Sequence, residues 1–147
     1  MNAEMEKLVE AACAQRKRSY SPYSKFKVGA ALLGKSGRVH LGTNVENVSF
    51  GLSNCAERSA VFGAVSAGES EFVAIAICAD GVNPTAPCGA CRQVLLEFGP
   101  EMVVVLAGDQ GLAGETKTLT VAELLPMAFF DFRDQLRAPD KNEDEKA

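Results

Sequence analysis

Four residues carry types and spacings that can do chemistry: Cys55 and Glu57 in Ser53-Asn54-Cys55-Ala56-Glu57-Arg58, and Cys88 and Cys91 in Pro87-Cys88-Gly89-Ala90-Cys91. Three thiolates can fill three of the four tetrahedral positions of Zn²⁺ and leave the last for water, as in a catalytic rather than a structural zinc site. A carboxylate two residues from a ligand is placed to handle that water's protons without binding the metal. Thiols must lose their protons to bind zinc, and the open N–H groups of a helix start favour the thiolate. Three thiolates on Zn²⁺ leave one net negative charge, so a cation must withdraw it. Arg58 and Arg92 are the candidates, Arg58 the preferred one. Each is otherwise a surface arginine. A C-x-x-C step alone also suits a redox protein; a third cysteine followed by Glu57 turns the reading to catalytic zinc.

The elements that must position these residues follow from periodicity and breakers. Residues 55–67 read as a helix with Ala56, Ala60, Val61, Ala64 and Val65 on its buried stripe, Asn54 or Ser53 as cap and Gly68 as stop. Cys88 to Phe98 reads as a second helix, stopped by Gly99-Pro100. Both ligand groups therefore fall at helix starts. Phe72 to Ala79, FVAIAICA, is apolar enough for a strand covered on both faces. Met102–Ala107 is another such strand, and Lys117–Thr120 a short one. Phe26 to Leu33 and Arg38–Val45 form a hairpin about Gly34–Gly37. Residues 3–18 suggest an amphipathic helix with Met5, Leu8, Val9, Ala12 and Cys13 on one side; Arg16, Lys17 and Arg18 read as its solvated end. Val121–Leu125 starts a last helical segment before Pro126. The order suggests one mostly buried sheet between helices, an α/β fold. Period two puts Asn44 and Glu46 on one side where strand gives way to loop; as residues alone they suit a polar turn, and Phe26 suits a core. His40, the only histidine, reads as a partly exposed strand residue.

A chain of 147 residues forms one domain with a real core. No apolar run reaches the roughly 20 residues of a membrane span, and the start MNAEMEKLVEAACAQRKR lacks the pattern of a secretory signal. The expected location is the cytoplasm. The net charge of −4 argues against a standing attraction to nucleic acid. Five cysteines are an odd count. In a reducing compartment they read as ligands plus buried free thiols at Cys13 and Cys78. The tail RAPDKNEDEKA, 137–147, reads as a charged disordered extension of a domain over 1–136.

The C-A-E and P-C-x-x-C pair matches the general signature of zinc base deaminases. With Ser21-Pro22-Tyr23-Ser24-Lys25-Phe26-Lys27-Val28-Gly29-Ala30-Ala31, Asn44-Val45-Glu46-Asn47 and Leu124-Leu125-Pro126, the chain resembles the small homotetrameric cytidine deaminases over roughly residues 5 to 130. The resemblance implies their three-layer α/β/α fold with a five-stranded mixed sheet. It implies zinc on Cys55, Cys88 and Cys91, and Glu57 as proton shuttle for a zinc-bound hydroxide. Cytidine and deoxycytidine would be hydrolysed to uridine and deoxyuridine with release of ammonia, in pyrimidine salvage. It also implies that Phe26 and Tyr23 meet the pyrimidine, that Ala56 contacts substrate, and that Asn44 and Glu46 hold ribose hydroxyls. Phe129, or its neighbour Phe130, would reach a neighbouring subunit's site in a homotetramer, while Phe132 packs into its own core. Competing functions are a deaminase for another cytosine compound such as blasticidin S, a nucleic-acid editor, and a redox or structural zinc protein.

Overall fold

A computed structural model describes residues 1–130. In chain order they form α1 (Ala3–Arg16), β1 (Val28–Gly34), β2 (Val39–Thr43), α2 (Ala56–Ser66), β3 (Phe72–Ala79), α3 (Gly89–Glu97), β4 (Val103–Ala107), β5 (Thr116–Thr120) and α4 (Val121–Leu124). The strands make a single five-stranded sheet in the order β2-β1-β3-β4-β5. Only β3 and β4 run parallel, and α3 is the crossover between them. The expected mixed sheet is therefore present.

Alternation along the strands divides the core in two. Ala30, Leu32, Ile75, Ile77, Val104 and Leu106 pack against α2, α3 and α4. Ala31, Leu33, Ala74, Ala76, Cys78 and Val105 pack against Leu8, Val9 and Ala12 of α1. A sheet covered on both faces needs apolar residues at successive positions, which is why FVAIAICA shows no polar alternation. α1 starts at Asn2, whose side chain accepts from the Met5 N–H at 2.9 Å. α4 starts at a capping box between Thr120 and Glu123.

Two features of the sheet set the site. A Cβ at Gly42 would overlap the Ala56 carbonyl and the Ala60 nitrogen, so α2 lies directly on the β2 backbone. That close approach fixes where Cys55 starts its helix. The hairpin begins later than the sequence suggests, at Val28 rather than Phe26. Lys27 N–H donates to Asp80 Oδ2 at 2.8 Å and Val28 N–H to Asn44 Oδ1 at 2.9 Å, so side chains hold this entry to the strand.

The reading of Cys13 and Cys78 as free thiols is corrected. α1 lies across β3, brings the two Cα atoms to 5.1 Å, and the sulfurs form a disulfide; that separation is within the ordinary range for such a bridge. His40 is, as expected, a partly exposed residue of β2. It lies 2.7 Å through Nε2 from Glu69, which is held well below the usual carboxylate range, at about 2, chiefly by His40 and then by Ser36. The expected domain end at 136, the tail 137–147 and Phe132 lie outside the described residues.

Candidate metal centre and active site

Cys55 and Cys88 are the N-cap residues of α2 and α3, each with extended backbone. Cys91 sits in the first turn of α3 and is fully buried. Packing of the two helix starts brings the three Sγ atoms within 4.8 Å of one another. The Cys55 and Cys88 sulfurs are 3.8 Å apart. Tetrahedral zinc with Zn–S bonds of about 2.3 Å needs sulfurs roughly 3.8 Å apart, so this donor set fits zinc. Cys88 Sγ also accepts from the Cys91 N–H at 3.5 Å, capping α3 with sulfur.

The electrostatics point the same way. The Cys55 thiol is drawn down to about 5, first by its hydrogen bond with Cys91 and then by Arg58. Cys91 is pushed far up by that same bond, by burial and by the charge of Glu57. One thiolate forms easily and opposes the next, so the cluster calls for a cation to hold all three ionised. Arg58 Nη2 lies 3.2 Å from Cys55 Sγ. Arg92 does not act there. Its Nε and Nη1 donate to the Pro87 and Leu124 carbonyls, each at 2.7 Å.

Beside the sulfurs lies a cavity of about 350 Å³, the lower end of the range for small-molecule sites. Phe26, Asn44, Glu46, Ala56 and Glu57 line it with Cys55 and Cys88, bringing most of the expected residues together. Glu57, 5% exposed, is pushed above its ordinary value by burial, an environment that favours the protonated carboxyl. Ala56 opens α2, and the N–H groups of a first turn have no intrahelical partner. Glu46 Oε1 accepts from the Tyr23 and Ser24 N–H groups at 3.0 and 3.1 Å, and the Ser24 hydroxyl holds its carboxyl below the ordinary value. Asn44 is committed to the scaffold: Oδ1 accepts from Val28 N–H and Ser19 Oγ, and Nδ2 donates to the Phe26 carbonyl at 2.7 Å. Backbone bonds between Val45 and Asn54, both at 2.9 Å, join this loop to the strand of chain entering Cys55.

Two expected residues stand apart. Tyr23 lies in an adjoining trough with Phe50, ring centroids 5.7 Å apart in an edge-on pair. Phe129 does not line the cavity of its own chain; the residue is 68% exposed and its carbonyl accepts from Gln93 Nε2 at 2.8 Å. Residues the sequence reading missed add to the wall, among them Val28, Ile77, Ala79, Thr85 and Ala86. The end of β3 and its following loop supply four of them. Ligands in open α/β sheets collect beyond the carboxyl ends of strands, a signal that was available.

The family model for the cytidine and deoxycytidylate deaminase zinc-binding region matches residues 2–107. A cytidine deaminase of Halalkalibacterium halodurans is 50% identical over 126 residues, which is 86% of this chain and 94% of that protein. One of Sporosarcina psychrophila is 48% identical over 86% of this chain and 91% of its own length. The crystal structure of a cytidine deaminase from Burkholderia pseudomallei superposes with a TM-score of 0.80 at 49% identity, covering 88% of this chain and all of that one. The family model, the curated relatives and the solved structure agree, and the chain belongs to the cytidine deaminase family.

Proposed function

We propose that this chain hydrolyses cytidine and deoxycytidine to uridine and deoxyuridine, releasing ammonia. The observation that carries this reading is the buried carboxyl of Glu57, set in a nucleoside-sized cavity two residues from one thiol of a zinc-fitting cluster. Cys55, Cys88 and Cys91 hold the zinc. Zinc held there supplies the Lewis acidity that makes water a nucleophile near neutral pH. Glu57 takes a proton from that water and delivers it to N3 of the pyrimidine, which makes C4 electrophilic. After the water oxygen has added to C4, Glu57 takes the remaining proton from that oxygen and passes it to the amino group; the C4–N bond then breaks, ammonia leaves and C4 keeps its oxygen as a carbonyl. Arg58 draws charge from the Cys55 thiolate. Phe26 covers the base, with Tyr23 beyond it, and Ala56 offers its N–H at the helix start. Asn44 holds the Phe26 backbone in place with one Nδ2 hydrogen and offers the other, beside the Glu46 carboxylate, to the ribose hydroxyls. The reaction belongs to pyrimidine salvage in the cytoplasm.

An ultraviolet assay over cytidine, deoxycytidine, cytidine monophosphate, blasticidin S and a single-stranded oligonucleotide tests this. The nucleosides should be converted. The ionised Glu46 faces the sugar end, and among the described residues Lys25 is only the weakest of the influences on its carboxyl, so cytidine should exceed the monophosphate in kcat/KM by about 100-fold or more, the scale of an unpaired charge in a binding site. Comparable kcat/KM for the two contradicts this pocket, and blasticidin S or the oligonucleotide as the better substrate replaces the reading.

The finer reading of assembly is a homotetramer with shared sites. Val48, Phe50, Leu52, Met127 and Phe129 are all more than two-thirds exposed on a single chain, and exposed apolar surface of this kind marks association. Phe129, outside its own cavity, is the residue offered to a neighbour, with Phe130 beside it. Light scattering should give a mass near four chains. Phe129→Ala should raise KM for cytidine about ten-fold, the loss of one aromatic contact, with zinc retained. A fully active monomer overturns both parts.

A further inference from the structure

Arg92 and Gln93 follow Cys91 directly along α3, and their side chains hold two separate pieces of backbone. Arg92 Nε donates to the carbonyl of Pro87, immediately before Cys88, and Nη1 to the carbonyl of Leu124, at the end of α4, both at 2.7 Å. Gln93 Nε2 donates to the Phe129 carbonyl at 2.8 Å. The segment from Leu124 to Phe129 is thus fastened at its two ends by neighbouring residues of the helix that carries Cys91. Between the fastenings Met127 has φ +52° with its side chain fully exposed. A long side chain enters the left-handed region only where its surroundings determine the backbone, and the exposed Met127 side chain supplies no packing to do so. The ends of the segment do. A planar guanidinium with donors in a fixed fork can bridge two carbonyls at once, which an ammonium on a flexible stem does not reproduce.

We propose that Arg92 and Gln93 are positioning residues, a clamp that ties the loop entering Cys88 to the segment Leu124–Phe129. Retention of the metal and placement of the aromatic segment are then set by one arrangement. The consequence for substrate rests on the reading of Phe129 as part of a nucleoside site; the consequences for zinc and for the segment do not.

The test uses the full zinc-loaded chain. In Arg92→Lys, with the far-ultraviolet spectrum unchanged, zinc transfer to the chelator 4-(2-pyridylazo)resorcinol and amide exchange in 124–130 should both speed up about ten-fold or more, the scale of a lost charge-assisted hydrogen bond. Gln93→Leu leaves Arg92 in place. It should speed exchange in 124–130 and raise KM for cytidine about five-fold, while kcat stays within about two-fold and zinc transfer keeps its wild-type rate. Wild-type zinc transfer or wild-type exchange in Arg92→Lys overturns the clamp. If Arg92→Lys does not fold, wild-type exchange in Gln93→Leu overturns it instead. An unchanged KM in Gln93→Leu removes its link to substrate. If the wild-type chain does not deaminate cytidine, the functional reading falls, and zinc transfer and exchange still decide for or against the clamp.

Discussion

Glu57→Gln is expected to keep its zinc and its fold and to lose about 10⁴-fold or more of turnover, the upper end of the range for a general acid–base group. The substitution changes one oxygen for one nitrogen in a side chain that is 5% exposed, so packing of α2 on the sheet is retained. What is removed is the ability to take and give a proton. In the proposed reaction one carboxyl handles the water's proton, N3 and the leaving amine, so its loss is felt at several steps rather than one. Burial raises the pKa of Glu57, which suits a group that must hold a proton and still part with it. Turnover within about ten-fold of wild type, measured on protein of full zinc content, would show that another base does the work.

How much of this was visible in the sequence depended on the range of the interactions involved. The ligands were legible because they are local: C-A-E and C-x-x-C each fall within one helix start, and the helix geometry brings their thiols into the first turn. Arg58 follows Cys55 by three residues, a spacing that puts both on one side of a helix, and its guanidinium does reach that sulfur. Arg92 stands four residues after Cys88, an equally permissive spacing. Its fork is nevertheless taken by the Pro87 and Leu124 carbonyls, the second 32 residues away, which no local pattern reveals. The strands were legible because a sheet covered on both faces leaves long apolar runs. The pairing of Cys13 with Cys78 spans 65 residues. It depends on how α1 crosses β3, so a count of cysteines could not find it. Asn44 was read for its chemistry alone. In the fold its amide first serves the Phe26 and Val28 backbone, and through that backbone it shapes the cavity.

Cys55→Ala, Cys88→Ala and Cys91→Ala should each purify with less than about one-tenth of the zinc of wild type, against about one zinc per chain in the parent protein, because a site of three protein ligands has no spare donor. Among the described residues no histidine or further cysteine joins this cluster. Glu57 is the nearest carboxylate in sequence, and in the proposed site it is the proton carrier rather than a ligand. With one sulfur removed, two thiols must bind the ion alone and must still ionise against each other. Cys88→Ala should be the most damaging of the three to its own helix, since it also removes the sulfur that caps the Cys91 N–H. Cys13→Ala supplies the control: it breaks the disulfide on the α1 face of the sheet and leaves the metal cluster untouched. Its zinc content should therefore equal that of wild type when both are measured by atomic emission after dialysis. Full zinc in Cys55→Ala, or equal losses in Cys13→Ala and Cys55→Ala, would remove the three-thiolate centre from which the rest of the site has been built.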